Sequence, residues 1–291
     1  MSKYKESIIS SENLNWAWRK ARRLYRSGDG LYDFAEVAEF ELDLESQLKS
    51  ISNDFETGKY ELAPLILLPQ PKKPSKEGSI RMRQSFHISV RDQVAWLAIT
   101  NVVGPTLDSK MPAWSYGHRL FKAAWFEQSD GKSHLEFGPY RHSSGHLYRR
   151  FKHSWPLFRR HISLTSRAMV NGLGDLHELD AAEQMALAQS ERPDYFNPHF
   201  WPKAKSKTLH YASIDLEKFY PRIRTNAVVR SLSNFLDSFD QDLWLQKLVA
   251  NLLSFHVTKK GSAFVDEEIC EPLTISGDFD GLPTGLMVAG F

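Results

Sequence analysis

The chain has 291 residues, of which 42% are apolar, 12% aromatic and 25% charged. This composition is typical of a globular protein and excludes collagen-like and intrinsically disordered chains. Its 37 basic and 35 acidic side chains leave a formal net charge of +2, so net charge alone does not indicate a nucleic-acid-binding protein. A basic surface would have to come from uneven placement of charge along the chain.

Cysteine and apolar content limit the environments in which the chain can function. The single cysteine, Cys270, excludes an intramolecular disulfide and, without companion ligands, a structural zinc cluster. No apolar stretch is long enough to span a bilayer, and the N-terminal segment has no apolar signal core. We therefore expect a cytoplasmic protein without a membrane partner, built as one large domain or two smaller ones.

Two helices are predicted near the N-terminus. Residues 11–26 carry basic and aromatic side chains and predict a helix that ends at the Ser-Gly-Asp-Gly turn of residues 27–30. A second helix is expected over 33–51, where acidic side chains fill the face opposite an apolar stripe. The stripe, which we expect to lie in the core, consists of Phe34, Val37, Phe40, Leu44, Leu48 and Ile51.

A basic hairpin and a third helix are predicted next. The segment 69–78 predicts a strand that ends in a Pro- and Gly-rich turn. Apolar and basic side chains alternate over 79–88, which predicts the returning strand. Apolar residues at helical spacing then predict a helix over 91–103.

Charge is distributed unevenly through the middle of the chain. Residues 131–165 contain seven Lys or Arg and one acid, Glu136, whereas residues 166–195 contain six acids and two arginines. Arginines interleaved with aromatic rings favour a contact surface for RNA or single-stranded DNA, with an ordinary protein interface as the alternative. The histidines of this region lack the spacing and the cysteine partners of a metal site.

The last third is predicted to hold a strand, a long helix and a glycine-rich segment. An apolar strand is expected over 209–214 and leads into Asp215. Helical periodicity extends over 225–253, and Thr225 and Asn226 at its start offer N-cap hydroxyl or amide groups. A carboxylate at the end of a buried strand is costly unless it is paired or binds a cation. Mg²⁺ ions that act in phosphoryl transfer are held by such carboxylates, a carbonyl and the substrate phosphates. An ordinary turn residue is the alternative for Asp215.

Residues 213–223 resemble motif A of reverse transcriptases, in which a strand delivers the first metal-binding aspartate and an aromatic residue follows five positions later. Those positions are Asp215 and Tyr220 here. The resemblance implies that Asp215 binds two Mg²⁺ ions, with Mn²⁺ as an alternative, and that the Leu216 carbonyl assists one of them. It implies that Tyr220 selects deoxynucleotides. Two further residues are implied to lie near the triphosphate through their backbone: Lys218 and Phe219.

Three other segments match the same family in the same order. Residues 72–81, followed by residues 90–94, are similar to the fingers hairpin and next helix of retron and group II intron enzymes. Residues 115–119 resemble the SYGxR signature, and residues 281–285 (Gly-Leu-Pro-Thr-Gly) resemble motif B, usually written GLPxG. The cationic residues expected at the triphosphate are Lys73 and Arg81. The motif B residues expected at the nucleotide are Thr284 and Gly285.

The sequence also departs from the common family pattern. Thr284 stands where many reverse transcriptases have Gln, and a basic and aromatic insertion covers about 120–208. These traits resemble the defence-associated bacterial enzymes of the abortive-infection and unknown-group types. The arginines expected to contact nucleic acid are Arg119, Arg149, Arg150, Arg159 and Arg160. The implied partners are an RNA template or non-coding RNA, the DNA product and dNTPs, with a second copy or a partner defence protein as further candidates.

The expected fold is the α+β right-hand polymerase. Fingers, N-terminal helices, first palm helices and the insertion are assigned to 1–208, and a partial palm with motifs A and B to 209–291. Motif C, a Tyr-x-Asp-Asp turn, and the thumb would follow Phe291, so we expect the leading part of a longer polymerase. The expected activity is RNA-directed DNA synthesis from dNTPs in antiviral defence. The alternatives are a template-independent or protein-primed nucleotidyltransferase, and a catalytically incomplete nucleic-acid-binding partner.

Overall fold

Two compact units make up the chain. The computed structural model describes residues 2–27, 32–72, 82–112, 115–129, 132–150, 154–155, 158–159, 162–163, 166, 210–216, 218–258 and 277–290. The first unit draws on residues 1–107, 142–145 and 216–291, and the second on residues 108–141 and 146–215. This division differs from the expected one at 208/209, because the N-terminal helices and the C-terminal segment belong to the same unit.

Four helices open the first unit. They are α1 (Lys5–Ile9), α2 (Ser11–Ser27), α3 (Phe34–Leu42) and α4 (Leu44–Thr57). The predicted basic helix is confirmed as α2, whose buried residues Leu14, Ala17, Trp18, Ala21 and Tyr25 recur at three- and four-residue steps. Burial of one face of α2 therefore leaves most of its arginines at the surface.

The single helix predicted over 33–51 is wrong, because the chain breaks at Asp43. This residue has φ −117° and ψ 36°, and α4 starts directly after it. Leu48 and Ile51 are buried in α4 as expected, whereas Phe34 in α3 is 76% exposed. Phe40 of α3 is buried as well, so the stripe reaches the core from both helices, and only its first residue is largely exposed.

A small mixed sheet lies in the first unit, with the order β4–β1–β7–β8. Its strands are β1 (Leu65–Leu67), β4 (Phe86–His87), β7 (Phe255–Thr258) and β8 (Gly277–Phe279). β1 pairs antiparallel with β4 and parallel with β7, and β7 pairs antiparallel with β8. Alternate residues of β1 and β7 are buried, as expected for strands with one face on a core.

The predicted basic hairpin is confirmed only in part, because its returning strand over 79–88 is divided between β3 (Met82–Arg83) and β4, which belong to different sheets. The strands β2 (Gln70–Pro71) and β3 pair antiparallel. Residues 73–81, and with them Lys73 and Arg81, lie outside the described residues.

The helix predicted after the hairpin is confirmed as α5 (Val90–Lys110) and extends beyond its expected end. Its first turn is capped by a serine: the Ser89 hydroxyl accepts a hydrogen bond from the Asp92 N–H at 3.1 Å and donates one to the Asp92 carboxylate at 2.7 Å. The Tyr60 hydroxyl donates to the same carboxylate at 2.8 Å. Burial raises the pKa of Asp92, while these hydrogen bonds oppose the rise. The start of α5 is thereby tied to the segment before β1.

The continuous helix predicted over 225–253 is also wrong. A short helix, α6 (Phe219–Arg222), precedes this range. Within 225–253 the chain forms α7 (Thr225–Phe235), a 3₁₀ turn (Phe239–Gln241) and α8 (Leu243–Leu252). Ser238 takes a left-handed conformation with φ 63°, and the Asp242 carboxylate caps α8 by accepting from the Leu245 N–H at 3.0 Å. Helical spacing continues across this break, so periodicity alone does not reveal it.

The second unit contains a long antiparallel hairpin within the predicted insertion. Its strands are β5 (Lys122–Ser129) and β6 (Lys132–Tyr140). The ring of Trp125 covers Gly138 on the opposite strand, where an added Cβ would lie 3.1 Å from it. None of the described helices of either unit combines the length and the apolar character needed to cross a bilayer.

Candidate functional site

Three separated segments of the first unit meet at the turn formed by Gly281–Gly285. The Leu282 N–H donates to the Tyr220 carbonyl at 3.1 Å, which joins the turn to the aromatic residue of motif A. The Phe86 N–H of β4 donates to the Thr284 carbonyl at 2.8 Å. Two of the motifs that resemble reverse transcriptases therefore contact each other and the strand that follows the basic hairpin.

Both glycines of the turn are required by close approach of neighbouring backbone. A Cβ on Gly281 would lie 2.5 Å from the Pro221 carbonyl oxygen. Gly285 has φ +125°, a conformation that side chains oppose, and a Cβ there would clash with the Phe86 carbonyl oxygen. Each glycine thus allows a separate backbone contact, Gly281 with Pro221 and Gly285 with Phe86.

We expect Gly285→Ala to lower the free energy of unfolding by about 1–3 kcal/mol, because the positive φ and the Phe86 carbonyl both oppose a Cβ. Urea denaturation measures the change. Gly117→Ala is the matched control, since a Cβ at Gly117 would meet nothing within 4 Å. Equal unfolding free energies for Gly285→Ala and the wild-type chain would contradict this account of the turn.

Tyr220 lies in the short helix α6, and its side chain is partly buried. The ring of Phe219 packs beside it with centroids 5.3 Å apart, and Phe219 itself is largely exposed. Lys218 precedes the helix in a left-handed conformation, with φ 52° and an exposed side chain. Such a conformation in a residue other than glycine is uncommon and marks a tight turn. The turn sets the direction in which the chain enters α6.

Asp280, the residue before the turn, has a structural role. Its carboxylate accepts hydrogen bonds from the Thr225 N–H at 3.1 Å, the Thr225 hydroxyl at 2.9 Å and the Arg224 guanidinium at 2.8 Å. The Arg224 hydrogen bond is the main cause that lowers the pKa of Asp280. The sequence predicts an N-cap group at Thr225 for the helix that begins there. In the structure the Asp280 carboxylate, which is distant in sequence, binds the first N–H of that helix instead.

The predicted strand over 209–214 is wrong for its described part. Residues 210–216 form neither strand nor helix, and Tyr211 and Ile214 are 80% and 86% exposed. No strand among the described residues pairs with this segment, and its apolar side chains are exposed and not packed in a core. Asp215 is exposed, and no described residue forms a hydrogen bond or ion pair with its carboxylate.

The predicted metal ligands have suitable chemistry but do not form a complete site in the described part of the chain. Carboxylate and carbonyl oxygens, which Asp215 and Leu216 supply, are the ligands that Mg²⁺ prefers. The Asp215 carboxylate is accessible to a cation from solvent. Within the described ranges no three His, Cys, Asp or Glu side chains come together as a metal site. Burial does not require a cation at Asp215, because the segment before it is exposed, and a metal role for Asp215 stays a prediction.

Arg119, expected at nucleic acid, is instead buried in the second unit and only 4% exposed. Its guanidinium donates to the Asp108 carboxylate at 3.0 Å and to the Asp108 carbonyl at 2.9 Å. The same carboxylate accepts from the Leu120 N–H at 2.9 Å. These contacts favour a structural role, in which the arginine of the SYGxR-like segment fixes the chain after α5.

The other predicted nucleic-acid contacts are more accessible. Arg150 and Arg159 are exposed, and Arg149 is partly exposed, its N–H donating to the Arg119 carbonyl at 2.8 Å. Trp155 is 46% exposed, and its ring packs beside that of Phe158 with centroids 5.3 Å apart. Arg160 lies outside the described residues.

Sequence reasoning missed an acid–histidine pair that supports β4. Glu36 of α3 accepts a hydrogen bond from the Val90 N–H at 2.7 Å and lies 2.8 Å from the His87 imidazole. The hydrogen bond to Glu36 raises the pKa of His87, although partial burial opposes the rise. The two residues are far apart in the chain, so no local pattern indicates the pair.

Because the pKa of His87 is raised above its ordinary 6.5 on folding, the pair stabilises the protein fully below that pH and loses this contribution as pH rises through the higher folded value. We expect His87→Asn to lower the free energy of unfolding more at pH about 6 than at pH about 9. Urea denaturation at both pH values measures the difference. A deficit that does not change with pH would contradict the charged pair.

No protein-family model matches the sequence, and no curated protein shows significant similarity to it. The order of the motifs and the contacts around the Gly281–Gly285 turn therefore carry the functional argument.

Proposed function

We propose that the chain forms the fingers and part of the palm of an RNA-directed DNA polymerase of the right-hand fold. The strongest support is the meeting of motif-like segments that are far apart in sequence. Tyr220 contacts the Gly281–Gly285 turn through a 3.1 Å backbone hydrogen bond, and the turn contacts Phe86 of β4 at 2.8 Å. These two contacts are what the polymerase proposal expects of a motif A segment and a motif B turn that act at one nucleotide.

In this proposal the residues of the turn and of α6 bind and orient the incoming nucleotide. Tyr220 would exclude a 2′-hydroxyl by occupying the space that this group needs. Gly281 and Gly285 would hold the turn in the position that this needs, because the missing Cβ atoms let it pack against the Pro221 and Phe86 carbonyls. Lys73 and Arg81 of the basic hairpin would neutralise the triphosphate.

The metal ligands proposed for the reaction are the Asp215 carboxylate and the Leu216 carbonyl. When bound, Mg²⁺ would stabilise the charge that develops on the attacking and leaving oxygens. Asp215 precedes Tyr220 by five residues, so the metal ligand and the sugar gate lie on one short segment of chain. The exposed Arg150 and Arg159 remain proposed contacts for an RNA template or partner RNA. A role in bacterial antiviral defence is proposed from the family resemblance alone.

The activity is tested with the protein expressed from its complete reading frame, supplied with Mg²⁺, dNTPs and an RNA template annealed to a DNA primer. A product whose sequence is complementary to the template is the expected result. A product of unrelated sequence, formed with or without template, would instead establish the template-independent or protein-primed alternative. Binding of RNA without any incorporation would favour the nucleic-acid-binding partner.

Tyr220→Val is expected to relax sugar selection by about tenfold or more, because the smaller side chain leaves room for a 2′-hydroxyl. The ratio of kcat/KM for dCTP to that for CTP in single-nucleotide extension measures the effect. Tyr211→Val is the matched control, since Tyr211 is exposed and lies outside α6. Unchanged discrimination in Tyr220→Val would remove Tyr220 from the sugar gate.

A further inference from the structure

A buried glutamine of α5 binds the backbone at the C-terminal end of the Gly281–Gly285 turn. Gln93 is only 2% exposed. Its Nε2 donates to the Gly285 carbonyl at 2.8 Å, and its Oε1 accepts from the Met287 N–H at 2.9 Å. One side-chain amide therefore satisfies a donor and an acceptor on the backbone on either side of Leu286.

The chemistry of this contact requires a primary amide of this length. Only Asn and Gln present a donor and an acceptor side by side at all pH values, and Asn is shorter by one methylene. Because the Gln93 amide is buried, any movement of the turn away from it would leave polar atoms without partners. The contact thus favours one position of the turn over others.

Gln93 is itself held in place by the start of α5. It follows Asp92, whose carboxylate is bound by the Ser89 and Tyr60 hydroxyls and by the Ala63 N–H at 3.0 Å. The preceding Val90 N–H is bound to Glu36. The first turn of α5 is therefore held by several hydrogen bonds. A side chain that projects from such a turn is well suited to position another segment.

The Gly281–Gly285 turn is itself hydrogen-bonded to the backbone of Tyr220. Its Leu282 N–H is bonded to the Tyr220 carbonyl, and Gly281 lies against the carbonyl of Pro221. A shift of the turn would therefore move the backbone that carries the proposed sugar gate. We propose that Gln93 is a positioning residue that fixes the Gly281–Met287 segment and, through it, sets Tyr220 for sugar selection. The link to sugar selection rests on the proposed polymerase function.

The first test measures hydrogen exchange at the Met287 amide in Gln93→Met, which keeps side-chain length but removes the amide. Faster exchange at Met287 than in the wild-type chain is expected. Asn101→Leu is the matched control, because Asn101 is a buried amide of the same helix whose Nδ2 donates to Asn13 Oδ1. Unchanged exchange in Gln93→Met, or an equal acceleration in the control, would overturn the inference whatever the activity of the protein.

The second test measures dCTP-to-CTP discrimination with the protein from the complete reading frame. We expect Gln93→Met to lower the discrimination ratio by about tenfold and Asn101→Leu to leave it unchanged. In Gln93→Glu the carboxyl can donate and accept only when protonated, so its discrimination should recover as pH falls. A ratio unaffected by Gln93→Met would overturn the coupling to Tyr220. A wild-type protein that synthesises no DNA would instead refute the polymerase proposal, while Met287 exchange would still decide whether Gln93 holds the turn.

Discussion

Asp215→Asn is expected to reduce primer extension by about a thousandfold or more, since a catalytic metal supplies several kcal/mol of transition-state stabilisation. The substitution keeps the size of the side chain but removes the charge that would bind the cation. Asp215 is exposed and forms no hydrogen bond or ion pair with a described residue, so the unfolding free energy should not change. Extension rates and urea denaturation of the same preparations measure both quantities.

Asp278→Asn provides the matched control for this loss. Asp278 is also an exposed aspartate, and it lies in β8 just before the Gly281–Gly285 turn, where it pairs with His256 at 3.3 Å. Its substitution should leave extension within about twofold of the wild-type rate. Full activity in Asp215→Asn, or an equal loss in both variants, would remove Asp215 from the metal site.

Arg119→Met should lower the free energy of unfolding by about 3–5 kcal/mol, because it leaves the Asp108 carboxylate buried without its cation. The two side chains are 4% and 3% exposed, so solvent screens their interaction little. Urea denaturation measures the loss. The double variant Arg119→Met with Asp108→Leu should recover part of the stability, since it removes both buried charges.

Arg150→Met separates this structural role from RNA binding. Arg150 is exposed, so its substitution should change the unfolding free energy by less than about 0.5 kcal/mol. If Arg150 contacts RNA as proposed, the same substitution should weaken RNA binding and lessen its salt dependence. An Arg119→Met protein that is as stable as the wild-type chain but binds RNA more weakly would contradict the structural role of Arg119 and assign it to RNA binding instead.

The helices that the sequence predicts well are those whose signals are local. α2 carries an unbroken buried stripe, and α5 carries buried apolar residues at helical spacing, among them Val94, Leu97 and Ala98. The breaks at Asp43 and around Ser238 were missed because each is only a few residues long and apolar spacing continues on both sides. Periodicity averages over such points and so predicts one helix where there are two.

The candidate site was only partly predictable for a similar reason. Tyr220 and the Gly281–Gly285 turn stand out because short patterns mark them. Gln93 and Phe86 do not, since their contacts join the turn across the fold and depend on tertiary packing. Arg119 was assigned to nucleic acid because a basic residue in the sequence does not show whether an acid such as Asp108 is folded against it.

The location of a bound divalent cation decides whether Asp215 is a catalytic ligand. The measurement is the anomalous scattering of Mn²⁺ in crystals of the protein from its complete reading frame, grown with a dNTP and a primer annealed to RNA. The polymerase account predicts Mn²⁺ within coordination distance of the Asp215 carboxylate and the Leu216 carbonyl, with the nucleotide sugar against Tyr220. Mn²⁺ and nucleotide bound elsewhere, with the Asp215 carboxylate surrounded only by water, would contradict it.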